Sequence, residues 1–521
     1  MIFKKQRYSF VLHWVKVVPK KVIIIGAGIG GLASANLLQK AGFDVHVYEK
    51  NKQLGGRAGQ LKTKGFTFDT GPSWYLMPEV FNQYFSLFDI DVKKELAIKR
   101  LDPAYKVFFE SNDPITIQGN LIKDSKQFET IEKGAGEKLE TYVKEGDEIY
   151  KLAMRRFLYS NFTDPRDLVH KEVLASTGRM AKLLLTPIHS RVKKFVTAKP
   201  LQQILEYPMV FLGTSPFKAP AMYSLMSALD FNEGVYYPAQ GMYSIIELLV
   251  SLGKKLGVTY HTGSDVTQIT HENGQATGIV VAKKAITADI VISNADLHHT
   301  ETKLLDQPAR SYPDQFWYKK ESGISALLLY IGVKGNLPQL EHHNLFFVDK
   351  WKQNFTDIYD SKKIPESASI YVSRTTATDS KTAPKGHENI FVLVPLPTDV
   401  HITKVGQKKL ADRFIQQIAT AIGDKDLAKK IVTLETFGPA DFKNKFYSWE
   451  GTALGMSHLL KQSAMWRIPN KSKKLNNLFY VGAGTVPGIG LPMCLISAEL
   501  VYKRIVGIKK GGPVTHVEAL E

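Results

Sequence analysis

The sequence predicts an α/β protein: a discontinuous domain built on a parallel sheet, with an α+β domain inserted into it. Three observations predict this. The apolar run Lys21 to Ile25 leads into the glycine-rich turn Gly26-Ala27-Gly28-Ile29-Gly30-Gly31. A second glycine-rich stretch, Val481 to Pro492, follows another short apolar run near the opposite end. The chain has 521 residues and 44 % hydrophobic content, enough for two domains.

Lys21 to Ile25 reads as a short buried strand, Leu32 to Ala41 as a helix, and the alternating Asp44 to Glu49 as a second strand. This is a βαβ unit with a G-x-G-x-x-G turn in its expected place. Gly26 permits the tight turn, Gly28 lets the backbone approach a pyrophosphate, and Gly31 allows close helix-to-strand packing. The helix N-terminus offers free N–H groups to phosphate oxygens. Glu49 closes the second strand, where a carboxylate accepts from two ribose hydroxyls and disfavours a 2′-phosphate. The pattern therefore reads as a Rossmann-like dinucleotide site for FAD or NAD. Gly55-Gly56-Arg57-Ala58 comes next. Gly56 brings the backbone close, and the Arg57 fork can reach a phosphate. Gly65 to Asp69 suggests another strand before the turn at Gly71-Pro72.

From Phe128 to Tyr159 the pattern turns helical. Lys171 to Lys199 carries basic residues among apolar ones, in amphipathic fragments. Strands are expected at 258–260, 266–269, 277–283 and 288–293, with a turn at Gly274. Ile324 to Val333 and Ile390 to Pro395 read as strands of a second sheet. Leu478 to Val481 is a strand entering the second glycine-rich segment, and Pro492 to Val506 is its helix. Gly482, Gly484, Gly488 and Gly490 permit close backbone approach to the far end of the dinucleotide, toward which the helix beginning near Pro492 directs its amides. The division this implies is a basic extension (1–19), three pieces of the dinucleotide-binding domain (20–110, 236–300, 472–512), a helical substrate and membrane-facing region (111–235), a substrate domain (301–471) and a tail (513–521).

The net charge of +18 suits an acidic partner surface such as anionic lipid. Candidate basic patches are Lys182, Arg191, Lys193 and Lys194, and Lys461, Arg467, Lys471, Lys473 and Lys474. No nucleic-acid motif accompanies them. Cys494 is the single cysteine, which excludes an intrachain disulfide. No stretch reads as a membrane span, and the basic start lacks the cleavage pattern of a signal peptide. His298-His299 and His342-His343 are adjacent pairs without metal-ligand spacing and are expected at the surface, so no metal is expected.

Several segments carry a resemblance. They are Val22 to Gly31, Glu49, Gly55 to Ala58, Phe68 to Pro72, Phe211 to Met226, Gly234 to Tyr243, Val291 to Asp296, Thr452 to His458, and Phe479 to Pro492. Together they resemble the bacterial-type phytoene desaturases, or carotenoid desaturases, within the amine-oxidase-like FAD enzymes. The resemblance implies non-covalent FAD and hydride removal from a linear C40 or C30 polyene dissolved in a bilayer, each round adding one conjugated double bond. It implies peripheral binding at the cytoplasmic face of the membrane and reoxidation by oxygen or a quinone. A polyene isomerase or carotenoid oxidase on the same scaffold is the close alternative, and a non-catalytic flavin-binding membrane protein is the alternative of another class. Such chemistry needs a long apolar tunnel. Phe211, Phe217, Met222, Met226, Tyr236 and Tyr237 are the candidate substrate contacts. No side chain, including Glu450, Asp147, Arg155 and Arg156, is assigned as catalytic.

Overall fold

Lys21–Ile25 is apolar and almost wholly β-branched, and its four apolar residues are buried, as a central parallel strand requires. In the computed structural model, which describes residues 19–162 and 171–518 (side chains of 171–177 excepted), this strand is the middle of a five-stranded parallel sheet. The order is Leu478–Tyr480, Ile290–Ser293, Lys21–Ile25, Asp44–Glu49, Thr259–Thr262. Strands from three distant parts of the chain thus build one discontinuous Rossmann-like domain. Helix Ile29–Lys40 lies between helices Tyr243–Leu256 and Leu491–Val506. The basic extension, apart from its last residue, lies outside the described residues.

The inserted domain rests on a seven-stranded sheet. Its order is Ile431–Phe437, Ser325–Lys334, His387–Leu396, Ile370–Ser373, His343–Phe347, Tyr105–Phe109, Ile115–Ile117. All pairs are antiparallel except His343–Phe347 with Tyr105–Phe109. Tyr105–Phe109 therefore pairs here, ahead of the boundary expected at residue 110. Strand alternation gives this sheet two different faces. Leu327, Leu329, Ile331 and Val333 meet Phe414, Ile415 and Ile418 of helix Lys404–Ala421. Ala326, Leu328 and Tyr330 point the other way, into the main core.

The region expected to be helical from Phe128 to Tyr159 is interrupted by Gly134, whose φ of +79° no ordinary helix contains. Helices Leu121–Ile131 and Ala135–Ala153 flank it, and Lys171–Leu185 follows. Among the described residues, no helix is long and apolar enough to cross a membrane.

Candidate functional site

The two glycine-rich segments converge on one side chain. Asn294 follows the strand Ile290–Ser293, and its amide Nδ2 donates to the Gly26 carbonyl at 3.2 Å. A Cβ on Gly28 would lie 2.9 Å from Asn294 Nδ2; on Gly30 it would lie 2.9 Å, and on Gly482 2.6 Å, from Asn294 Oδ1. Side chains at these three positions would fill the cradle. Gly31 lies beneath the turn, where a Cβ would collide with the Gly26 carbonyl oxygen. Gly55 donates its N–H to the Ala27 carbonyl at 2.8 Å, which seats Gly56 against Gly28.

Glu49 is buried and tied to both neighbouring turns. Its Oε2 accepts from the Ala27 amide at 2.9 Å, and its Oε1 accepts from the Asn51 amide and side chain, each at 2.8 Å. Arg57 donates from Nη2 to Ser448 Oγ at 2.6 Å, while its buried Nε has no partner. Burial lowers the Arg57 pKa, and Asp296 opposes that shift. A buried guanidinium with an unused donor, beside a cradle of bare backbone, suits an anionic, phosphate-bearing dinucleotide.

The second loop is held from behind. Asn470 Nδ2 donates to the carbonyls of Tyr480 and Val486, and to Ser497 Oγ, each at 3.1 Å. Arg467 donates to the Ala483 carbonyl at 2.6 Å and the Thr485 carbonyl at 3.1 Å. Helix Leu491–Val506 starts where this loop ends.

One cavity of about 1070 Å³ connects these parts. It runs from Glu49 and Asn51, past Gly28, Arg57 and the loop to Cys494, into an apolar chamber. Ala326, Leu328 and Tyr330 of the seven-stranded sheet form one wall of that chamber. Aromatic rings form much of the rest: Trp74 lies 5.2 Å from Phe211, and Phe347 lies 5.0 Å from Trp351. The carboxylates and lysines on the cavity wall cluster at the Glu49 end: Lys50 sits over the Tyr447 ring, and the Tyr447 hydroxyl donates to Asp265 at 2.7 Å.

Gly26, Gly28, Glu49, Gly56, Arg57, Gly482, Gly490 and Pro492 all border this cavity. Gly31 supports the turn from below, and Gly484 faces a separate recess of about 60 Å³. Of the apolar candidates, Phe211, Met222 and Met226 line the chamber, whereas Phe217, Tyr236 and Tyr237 do not. Phe217 packs between His189 and Phe355. Tyr236 bridges Tyr75 through the backbone. The Tyr237 hydroxyl donates to the buried Asp69 carboxylate at 2.6 Å.

Two surface expectations are overturned. His342 and His343 are buried: His343 opens a strand covered on both faces and stacks on Trp74 at 4.8 Å, and His342, just before it, packs on Tyr237 at 4.4 Å. Arg467 is only 2 % exposed, since its partners are loop carbonyls rather than solvent. Glu450 is a turn residue at φ +52°, accepting from Ser322 Oγ at 2.6 Å. Sequence reasoning did not single out Trp74, Trp351 or His458. Trp74 had a signal, the preceding Gly71-Pro72 turn; Trp351 had none.

The family profile described as "Flavin containing amine oxidoreductase" matches residues 29–505. A carotenoid 3,4-desaturase of Haloarcula japonica is 40 % identical over 93 % of this chain and 98 % of its own. A zeta-carotene-forming phytoene desaturase of Myxococcus xanthus is 33 % identical over 94 % of each chain. The crystal structure of an oxidoreductase from Methanosarcina mazei, 18 % identical, superposes with a TM-score of 0.59 over 93 % of this chain and 100 % of its own, a likeness of fold. The glycine cradle, the buried Arg57 and the continuous cavity agree with these matches, and the chain belongs to the flavin-containing amine oxidoreductase family, as an oxidoreductase.

Proposed function

We propose that this protein binds FAD non-covalently and desaturates a linear carotenoid, phytoene-like or further along the same series. The observation that carries this reading is the continuous cavity, which joins a dinucleotide cradle to an aromatic-walled chamber. Bound flavin supplies a two-electron acceptor for the hydride of an allylic C–H bond. The protein's own part is placement. Glu49 holds the ribose end, Arg57 and the Gly26–Gly30 turn hold the pyrophosphate, and the loop Gly482–Pro492 holds the flavin end. Trp74, Phe211, Phe347 and Trp351 keep water out and offer π faces to the positive charge that develops along the polyene. The desaturases among the relatives support a polyene substrate.

Such a substrate is delivered from a bilayer. Met465 and Trp466 border the cavity and are 48 % and 52 % exposed. Helix Lys171–Leu185 borders it through Met180, Ala181 and Leu184 and leaves Leu185 exposed. With a net charge of +18, these apolar rims suit peripheral docking on the anionic cytoplasmic face, with oxygen or a quinone as final acceptor. The protein is expected to sediment with anionic vesicles, less so in high salt, and Trp466→Ala is expected to weaken that binding.

The deciding experiment is anaerobic. FAD-loaded protein mixed with a linear carotenoid precursor is expected to lose its oxidised-flavin absorbance while the pigment gains conjugation. Full FAD loading without bleaching by any linear polyene overturns the reading. A pigment that gains oxygen, rather than double bonds, identifies the oxidase alternative.

A further inference from the structure

Removing hydride from one carbon leaves a cation whose neighbour must lose a proton. The chamber offers almost nothing to receive it. Among the described residues that line the cavity, the carboxylates are Glu49, Asp265 and Asp296. All three are committed at the dinucleotide end: Glu49 to the turns, Asp265 to Tyr447, and Asp296 to the Trp449 and His299 amides at 3.2 Å. His299 stacks on Tyr447 at the same end. Beyond Arg57, the lining groups with titratable protons are tyrosines, Cys494 and His458. Burial pushes the Cys494 thiol up to about 12, so it arrives already protonated. His458 alone presents a neutral nitrogen base.

The surroundings of His458 fix its tautomer. Nε2 accepts from the Ile489 amide at 3.2 Å, in the second glycine-rich loop. Nδ1 faces the Tyr223 hydroxyl at 3.0 Å. That hydroxyl donates onward to Ser463 Oγ at 2.9 Å, and Ser463 donates to the Leu459 carbonyl at 2.8 Å. The chain of donors therefore places the His458 proton on Nδ1 and the lone pair on Nε2. His458 also stands where the second loop meets the apolar wall: Tyr223 adjoins Met222 in that wall, and Ile489 precedes Gly490.

We propose that His458 is the catalytic proton acceptor of the desaturation. This rests on the polyene reading above. In the step, one allylic C–H bond would break, its electron pair leaving with the hydrogen for the acceptor that bound flavin would supply. Because hydride loss alone is reversible and unfavourable, its net rate is set by the next event, in which the C–H bond on the adjacent carbon breaks. Its electron pair becomes the new C=C bond, and its proton goes to His458 Nε2, displacing the long Ile489 contact. The substrate would lose two electrons, and bound flavin would be their acceptor. Tyr223 keeps hold of the Nδ1 proton, so the imidazolium stays oriented.

Burial and the nearby Arg467 hold the His458 pKa well below the ordinary histidine value. Arg467 and Tyr223 are the titratable groups that face it. The ring is therefore neutral across the physiological range, and a carbon acid beside a cation needs no stronger base. The rate is expected to be flat at neutral pH and to fall only in acid.

The test is stopped-flow anaerobic flavin reduction by a linear polyene, with unlabelled substrate and with substrate deuterated at the proton-losing carbon. His458→Gln is expected to keep its flavin content and visible spectrum, to slow reduction about 100-fold or more, and to show an enlarged isotope effect at that carbon. Tyr223→Phe removes the acceptor of the Nδ1 proton without removing the ring, and is expected to slow reduction about tenfold; it decides the matter if His458→Gln fails to load FAD. A wild type that bleaches, beside variants that bleach equally fast with an unchanged isotope effect, overturns the role of His458 alone. A wild type that never bleaches overturns the polyene reading instead.

Discussion

Gly31→Ala is expected to abolish flavin loading and to destabilise the protein by about 3 kcal/mol or more. The methyl group would meet the Gly26 carbonyl oxygen, and also Asn294 Nδ2 at 3.1 Å and Asn294 Cβ at 3.2 Å. A flexible side chain could swing away, but the Gly26 oxygen is backbone at the apex of the turn. Relief requires helix Ile29–Lys40 to move off the central strand. That helix is also buried against Leu491–Val506, so the disturbance reaches both glycine-rich segments. The measurement is flavin content after purification, with the urea midpoint of the apoprotein. Gly178→Ala is the control. Gly178 lies in an exposed stretch of helix, and a Cβ there meets nothing within 4 Å. Alanine is the better helix former by about 1 kcal/mol, so the control is expected to load flavin normally and to lose no stability. Equal behaviour of the two variants would show that the close approach at Gly31 is not what holds the turn.

The features legible in the sequence were those with local causes. Lys21–Ile25 and its turn are specified by consecutive residues, because a buried parallel strand must be apolar and a tight reversal must be glycine. The strongly apolar run Ile324 to Val333 likewise announces a strand with two covered faces. Residues that depend on long-range packing were hidden. Tyr237 adjoins Tyr236 in an apolar stretch and reads as a wall residue, yet a carboxylate far along the chain, Asp69, claims its hydroxyl. His342-His343 has the polarity of a surface pair, but His343 opens a strand inside the sheet and His342 directly precedes it, so both rings are buried among Trp74, Tyr237 and Tyr371. His458 sits in a segment that was recognised only as a string of residues. Its meaning comes from Tyr223 and Ile489, which the fold alone brings to its two nitrogens.

Arg467→Met is expected to cost about 3 kcal/mol or more and to release the second glycine-rich loop. The basic run around it suggests a solvated patch, but the side chain is buried and makes no salt bridge among the described residues. Its guanidinium serves two segments at once. Nε and Nη2 donate to Thr485 and Ala483 in the loop, while Nη1 donates to the Gln462 carbonyl at 3.2 Å. Burial lowers its pKa to about 10, which leaves it charged at neutral pH. Methionine fills similar space and donates nothing, so the carbonyls of Met456, Gln462, Ala483 and Thr485 lose their partner together. Lysine restores the charge but not the planar fork, and Arg467→Lys is expected to fall between the two. Because the loop is expected to close over the flavin end, added FAD should stabilise wild type strongly and Arg467→Met weakly. Thermal unfolding with and without saturating FAD measures this. The clamp assignment is wrong if Arg467→Met unfolds with the wild-type midpoint and shows the wild-type FAD shift. A lower midpoint with an undiminished FAD shift would confine Arg467 to the fold and leave the loop to Asn470, whose amide already reaches Tyr480, Val486 and Ser497.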